Sequence, residues 1–212
     1  MANRVFDYRL LRLIMGVIAF SLPLVVDLIA SSELASISAS YHTEARDLFV
    51  GLLFVVAALM LAYNGHNRRE SMASKTAAIA AAGVALFPTA PPVGGGGWKA
   101  IVHYACAITL FCILAYFCFG PFRVRTKGRS GMKGRRARIY LTCGWVIVTA
   151  IVGLAAAKIL LPAETVSMYK MTYWAEFAAL WAFGIAWITA GKVLPFLVEP
   201  GEALRPLKAV AP

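Results

Sequence analysis

Asp27, Ser38, His42, Asp47, His103 and Glu176 are the residues of this chain whose types suit chemistry. Imidazole nitrogen and carboxylate oxygen are zinc ligands, and a catalytic site keeps its fourth position open for water. In that assignment His42, His103 and Glu176 hold the metal. Glu176 or Asp47 serves as general base, and Ser38 orients water or stabilises an oxyanion. Zinc would lower the pKa of its bound water to about 7 and polarise a carbonyl. Each residue also has a plainer reading. His42, in SASYHTEARD, is equally a solvated or capping histidine, and Asp47 pairs as well with its neighbour Arg46. His103 lies among apolar neighbours in WKAIVHYACA, as a core histidine would, and Asp27 sits where it can close a helix near water. Glu176, in YWAEFAALWAFG, has nothing nearby in sequence to neutralise it. It is therefore protonated, hydrogen-bonded to another helix, or ligating something.

Spacing constrains the set. Ser38 and His42 are four residues apart and share a face if the segment is α-helical. Asp47, five residues beyond His42, lies about 140° round the same helix. His42 and Asp47 can serve one metal only if regular helix starts afresh near Thr43 to Ala45.

The elements that must position these residues are six apolar segments, at about 10–30, 46–64, 75–88, 99–119, 139–161 and 172–193. Sixty per cent of residues are hydrophobic, 15 per cent are charged, and the mean hydropathy is +0.73, which is a membrane composition. The fold class expected is all-α: a six-span transmembrane bundle formed by residues 1–212 as a single domain. Seventeen of the 21 Lys and Arg residues fall in alternate loops and tails, among them eight from Arg123 to Arg138. Arg46, Lys99, Lys158 and Lys170 are left on the other side. The positive-inside rule then puts both termini in the cytoplasm and the six polar residues in the outer half of an inner membrane. The first apolar run reads as a retained span, because no convincing cleavage pattern follows it.

The third segment is short for a hydrocarbon core that needs about 20 helical residues. Pro88, Pro91 and Pro92 stop it and Gly94 to Gly97 cannot sustain a helix. The connection that follows is either an ordinary exterior hairpin or a segment that dips into the bundle and lines a cavity. The Ala and Gly residues of AAIAAAGVA favour close packing, which places this helix at the bundle centre. Cys106, Cys112, Cys118 and Cys143 all fall in spans and read as small apolar packing residues. The basic stretch 120–138 reads as a cytoplasmic loop that touches anionic lipid headgroups. It lacks the aromatic interleaving of a nucleic-acid surface.

Four blocks, SISASYHTEARDLFVG, GVALFPT, RIYLTCGW and EFAALWAFGIAWITAGK, resemble a family of small, largely uncharacterised bacterial membrane proteins. That resemblance implies a fold and no activity. A weaker likeness is to the superfamily of alkaline ceramidases and adiponectin-type receptors. These are seven-span zinc proteins with a Ser-x3-His motif, an Asp on another helix and a final His-x3-His pair. Ser38 and His42 match the first motif, whereas Asp47 is on the same segment and the last span offers only Glu176. Three function classes follow. One is a zinc-dependent hydrolase of a lipid-like amide or ester. Another is a non-enzymatic lipid-binding, sensor or accessory protein. The third is a small transporter, disfavoured by the lack of an inverted repeat between spans 1–3 and 4–6. No HExxH, P-loop or Gly-x-Ser-x-Gly elbow occurs.

Overall fold

The computed structural model of the chain describes residues 8–91, 95 and 97–199. Among these there is no strand, and seven α-helices carry the fold. They are α1 (Tyr8–Ile29), α2 (Arg46–Ala62), α3 (Arg68–Leu86), α4 (Gly97–Phe117), α5 (Gly131–Leu160), α6 (Ala163–Met168) and α7 (Met171–Gly191). Three of these are long and apolar enough to cross a membrane: α1, α4 with the π turn that extends it to Phe122, and α5. Helix α2 has 17 residues, α3 opens on Arg-Arg-Glu, and α7 carries Glu176 and three tryptophans.

Six helices pack in a closed ring, each against its neighbours in the order α1, α2, α3, α4, α5, α7 and back to α1. The seam between α1 and α7 is backbone on backbone. A Cβ placed on Gly16 would lie 2.9 Å from the Gly184 carbonyl oxygen, and one on Gly184 would lie 2.9 Å from that of Gly16. Small residues allow this approach, which dispersion contacts between the two closely packed helices reward. Inside the ring, Met15, Met60, Ala81, Leu114, Ile147 and Trp187 are among the buried core. The Ala-rich α3 does not occupy the centre expected for it. It is a stave between α2 and α4, with Ile79 and Leu86 exposed on its outer face.

Helix limits differ from the hydropathy limits where charge and helix coexist. Helix α3 begins at Arg68, well before the apolar run at 75, because Asn67 caps it. The Asn67 Oδ1 accepts from the Glu70 N–H at 2.9 Å, and the Asn67 side-chain amide donates back to the Glu70 carboxylate at 3.0 Å. Helix α5 begins at Gly131, so the second half of the expected 120–138 loop is helix. The short α6, after Pro162, has no counterpart among the expected spans.

Candidate functional site

Ser38 to His42 form a 3-10 turn, after which Thr43 is extended (φ −125°, ψ −178°) and α2 starts at Arg46. The break thus falls within the Thr43–Ala45 stretch where a fresh helix start was required. The 3-10 geometry has a second effect. At about three residues per turn, positions four apart no longer share a face. Ser38 and His42 therefore diverge, contrary to the α-helical expectation, and meet different partners.

Ser38 turns inward to α7. Its N–H donates to one Glu176 oxygen at 3.1 Å and its hydroxyl to the other at 3.0 Å. Both carboxylate oxygens are thus engaged by one residue. These two side chains, with Leu22, Phe49, Leu110 and Leu180, border a cavity of about 40 Å³. That is room for little more than a water molecule.

His42 turns toward the segment that leaves α3. Its Nε2–H donates to the Thr89 carbonyl at 2.9 Å, and the His103 Nδ1–H donates to the Phe87 carbonyl at 2.7 Å. A carbonyl can only accept, so each bond fixes which ring nitrogen carries the proton. The Thr89 hydroxyl and the Ala90 N–H donate to the Tyr104 hydroxyl at 3.1 and 3.3 Å. Residues 87–90 are therefore tied to the ring rather than loose, and Thr89 is buried. They do not line the cavity beside Glu176. Pro92, Gly94 and Gly96, expected to complete this connection, lie outside the described residues. His103 is 1 % exposed, and its Nε2 meets no hydrogen-bond partner among the described residues.

Asp47 and Asp27 stand apart from both pairs. Asp47 is exposed in the first turn of α2, where an acidic side chain complements the helix dipole. Asp27 is exposed and lies beside the Tyr173 hydroxyl. The predicted set is thus split: Ser38 with Glu176, His42 and His103 on one connection, two aspartates outside. Among the described residues no three His, Cys, Asp or Glu side chains are grouped to hold a metal ion. The same end carries two surface clasps: Glu44 accepts from the Ser31 N–H and hydroxyl, and Lys170 pairs with Glu33 at 2.7 Å. Lys170 holds the Glu33 carboxyl below its ordinary value.

The opposite end of the ring holds a cluster that the sequence reading passed over. Arg12 is buried and donates to the Ala190 carbonyl at 3.0 Å and to the Tyr63 hydroxyl at 2.6 Å. Its guanidinium carbon stands 5.2 Å from the Tyr63 ring centroid and 5.6 Å from that of Phe122. Trp187 packs edge-on against Tyr63, Phe117, Phe122 and Phe183. Arg136, 1 % exposed, donates to the Leu197 carbonyl at 3.0 Å. Nearby, the buried Glu70 accepts from Arg125, from the His66 N–H at 3.1 Å and from Asn67. Burial alone would raise the Glu70 carboxyl, but the bonds from Arg125 and His66 outweigh it and hold the group below its ordinary value. Arg12 and Arg136 counted as topology-setting charge in the sequence.

Comparison with protein-family models, with curated proteins and with solved structures finds no match for this chain.

Proposed function

We propose that this chain is a six-span inner-membrane protein of the non-enzymatic kind, a lipid-binding, sensor or accessory protein with both termini in the cytoplasm. The closed ring of six helices, three of them long and apolar enough to cross a membrane, and the one-sided distribution of Lys and Arg support this reading. The observation that carries the functional reading is how the polar groups of the Ser38 end are spent. Ser38 satisfies both oxygens of Glu176, and His42 and His103 each donate a ring N–H to a backbone carbonyl. The cavity beside Glu176, about 40 Å³, is far below the several hundred Å³ of a small-molecule site. The polar set then fixes helices and connections against one another. The test is substitution of Glu176 by Gln in the detergent-purified protein. Retained lipid content and partner binding with an intact fold support the reading, and loss of either without unfolding counts against it.

A second reading, a zinc-dependent hydrolase of a lipid-like substrate, is favoured by one atom. The buried His103 Nε2 offers a lone pair while Nδ1 is held by a carbonyl, an arrangement common to metal-ligating histidines. The donor set around it does not fit a metal as it stands, because Glu176 is engaged by Ser38 and no third ligand is grouped with the histidines among the described residues. Metal content by mass spectrometry decides this: one zinc per chain, lost in His103→Ala, would restore it.

A further inference from the structure

Eight basic residues lie between Arg123 and Arg138, and they are not equivalent. Arg125 is paired with Glu70, and Lys133 with Glu199 at 3.1 Å. Arg136 is buried on the Leu197 carbonyl, and Arg135 lies over the Met132 sulfur. The remaining four, Arg123, Lys127, Arg129 and Arg138, have no carboxylate partner among the described residues. All four line one open cavity of about 380 Å³.

The cavity is built by backbone as well as by charge. Gly128 (φ 74°) and Gly131 (φ 64°) take left-handed turns that fold the loop over the start of α5. At Gly134 a Cβ would lie 2.4 Å from the Arg129 carbonyl oxygen, so only glycine lets the loop close there. Thr126, buried, anchors the turn from below by donating to the Phe122 and Arg123 carbonyls. Ser130, at the N-cap of α5 and on the cavity wall, makes no capping bond with its side chain. Its hydroxyl and the first N–H groups of a 30-residue helix therefore add donors to a site already ringed by four cations.

Four like charges around one cavity repel one another, and an anion seated among them would remove that cost. The wall of the site also indicates what the anion is attached to. On α5 the lining positions Gly134, Arg138 and Leu141 continue at helical spacing to Trp145 and Val152, which are exposed apolar residues. Val124, beside the mouth, is 70 % exposed. A polar cup thus opens onto an apolar strip along the outside of the ring. We propose that this cup binds the phosphate headgroup of an anionic membrane lipid, with an acyl chain lying along the Leu141–Trp145–Val152 face. The lipid source rests on the membrane reading above; the anion site rests on the loop alone.

The experiment uses the detergent-purified protein and dioctanoyl phosphatidylglycerol, with binding followed by native mass spectrometry and by the tryptophan fluorescence change that Trp145→Phe removes. Saturable binding is expected, with dioctanoyl phosphatidylcholine much weaker. Arg129→Gln with Arg138→Gln, both exposed positions, should weaken it about thirtyfold, each basic group near an anionic headgroup being worth roughly a factor of five. Arg68→Gln with Lys75→Gln, exposed cations outside the cup, should change it less than twofold. Equal losses in the two double variants would mean diffuse charge attraction and overturn the site. Equal binding of phosphatidylcholine would overturn the headgroup assignment. Inorganic phosphate binding as tightly as the lipid would overturn the lipid source and leave a free-anion site. The membrane reading has its own separate readout, which is whether the chain needs detergent to leave the membrane fraction.

Discussion

The two ends of the helical ring keep polar groups inside an apolar fold by different means. At the Ser38 end the groups are small and each bond is local to one pair: serine to glutamate, histidine to carbonyl. At the other end the Arg12 guanidinium is buried without a carboxylate at hydrogen-bonding distance among the described residues. It is held by a carbonyl, a phenol and two aromatic faces. Aromatic rings accept a cation electrostatically while presenting an apolar surface to the rest of the core. The first end can lose a bond cheaply, whereas the second depends on each contact to compensate a whole charge.

That contrast is open to direct attack. The largest effect is expected for Arg12→Ala, which leaves the Ala190 carbonyl and the Tyr63 hydroxyl without their donor and opens space beside Phe122. A loss of about 3 kcal/mol is expected, read as a fall in thermal or SDS-denaturation midpoint. Arg12→Met, which fills the volume without the charge, should recover most of it. If both variants behave alike, the charge itself is needed and the aromatic enclosure is incidental.

Glu70→Gln should cost about 2 kcal/mol near neutral pH by leaving Arg125 without its partner. The sign with pH follows from the depressed carboxyl. Its contribution is complete above the ordinary value of 4.5 and is lost as pH falls through the lower value of the folded state. The wild type should therefore lose stability over that acid window and the Gln variant should lose less. Equal acid sensitivity would place the titrating group elsewhere.

At the other end, His103→Ala should cost about 1–2 kcal/mol, from one lost bond to Phe87 and a small cavity. Ser38→Ala should cost about 0.6 kcal/mol, in line with interhelical hydrogen bonds in membranes. A larger Ser38 effect would mean that the pair with Glu176 carries its end of the ring as Arg12 carries the other. Smallest of all, Lys170→Ala should leave the midpoint unchanged within error, since its partner Glu33 is a solvated surface carboxylate.

The apolar runs made the helices legible, because a ring of long helices writes hydrophobicity directly into the chain. Helix ends were less legible. The start of α3 was hidden by its charged residues, although Asn67 and Glu70 spell out a capping box three positions apart. The start of α5 was hidden in the same way by RRAR. The candidate site was legible as residue types only. Glu176 was singled out for lacking a local partner, and it does find one on a distant segment. That this partner is Ser38, 138 residues away, follows from the closing of the ring and from no local pattern. The divergence of Ser38 from His42 was invisible because two residues four apart read the same in sequence whether the backbone between them takes a 3-10 or an α turn, and only the α turn puts both on one face. Arg12 and Arg136 were counted with solvated loop charge, a bookkeeping by position that cannot see which way a side chain turns.

The glycine seam between the first and last helices has a consequence for how the molecule is made. Its polar counterpart, the Arg12 bond to Ala190, joins residues 178 positions apart. A ribosome adding about 5–20 residues per second needs on the order of ten seconds or more to span that interval. Throughout it, α1 has its Gly16 face bare and its arginine without the carbonyl that holds it. A chain stopped short of α7 would keep that face open for good, a mark that separates an unfinished copy from a finished one.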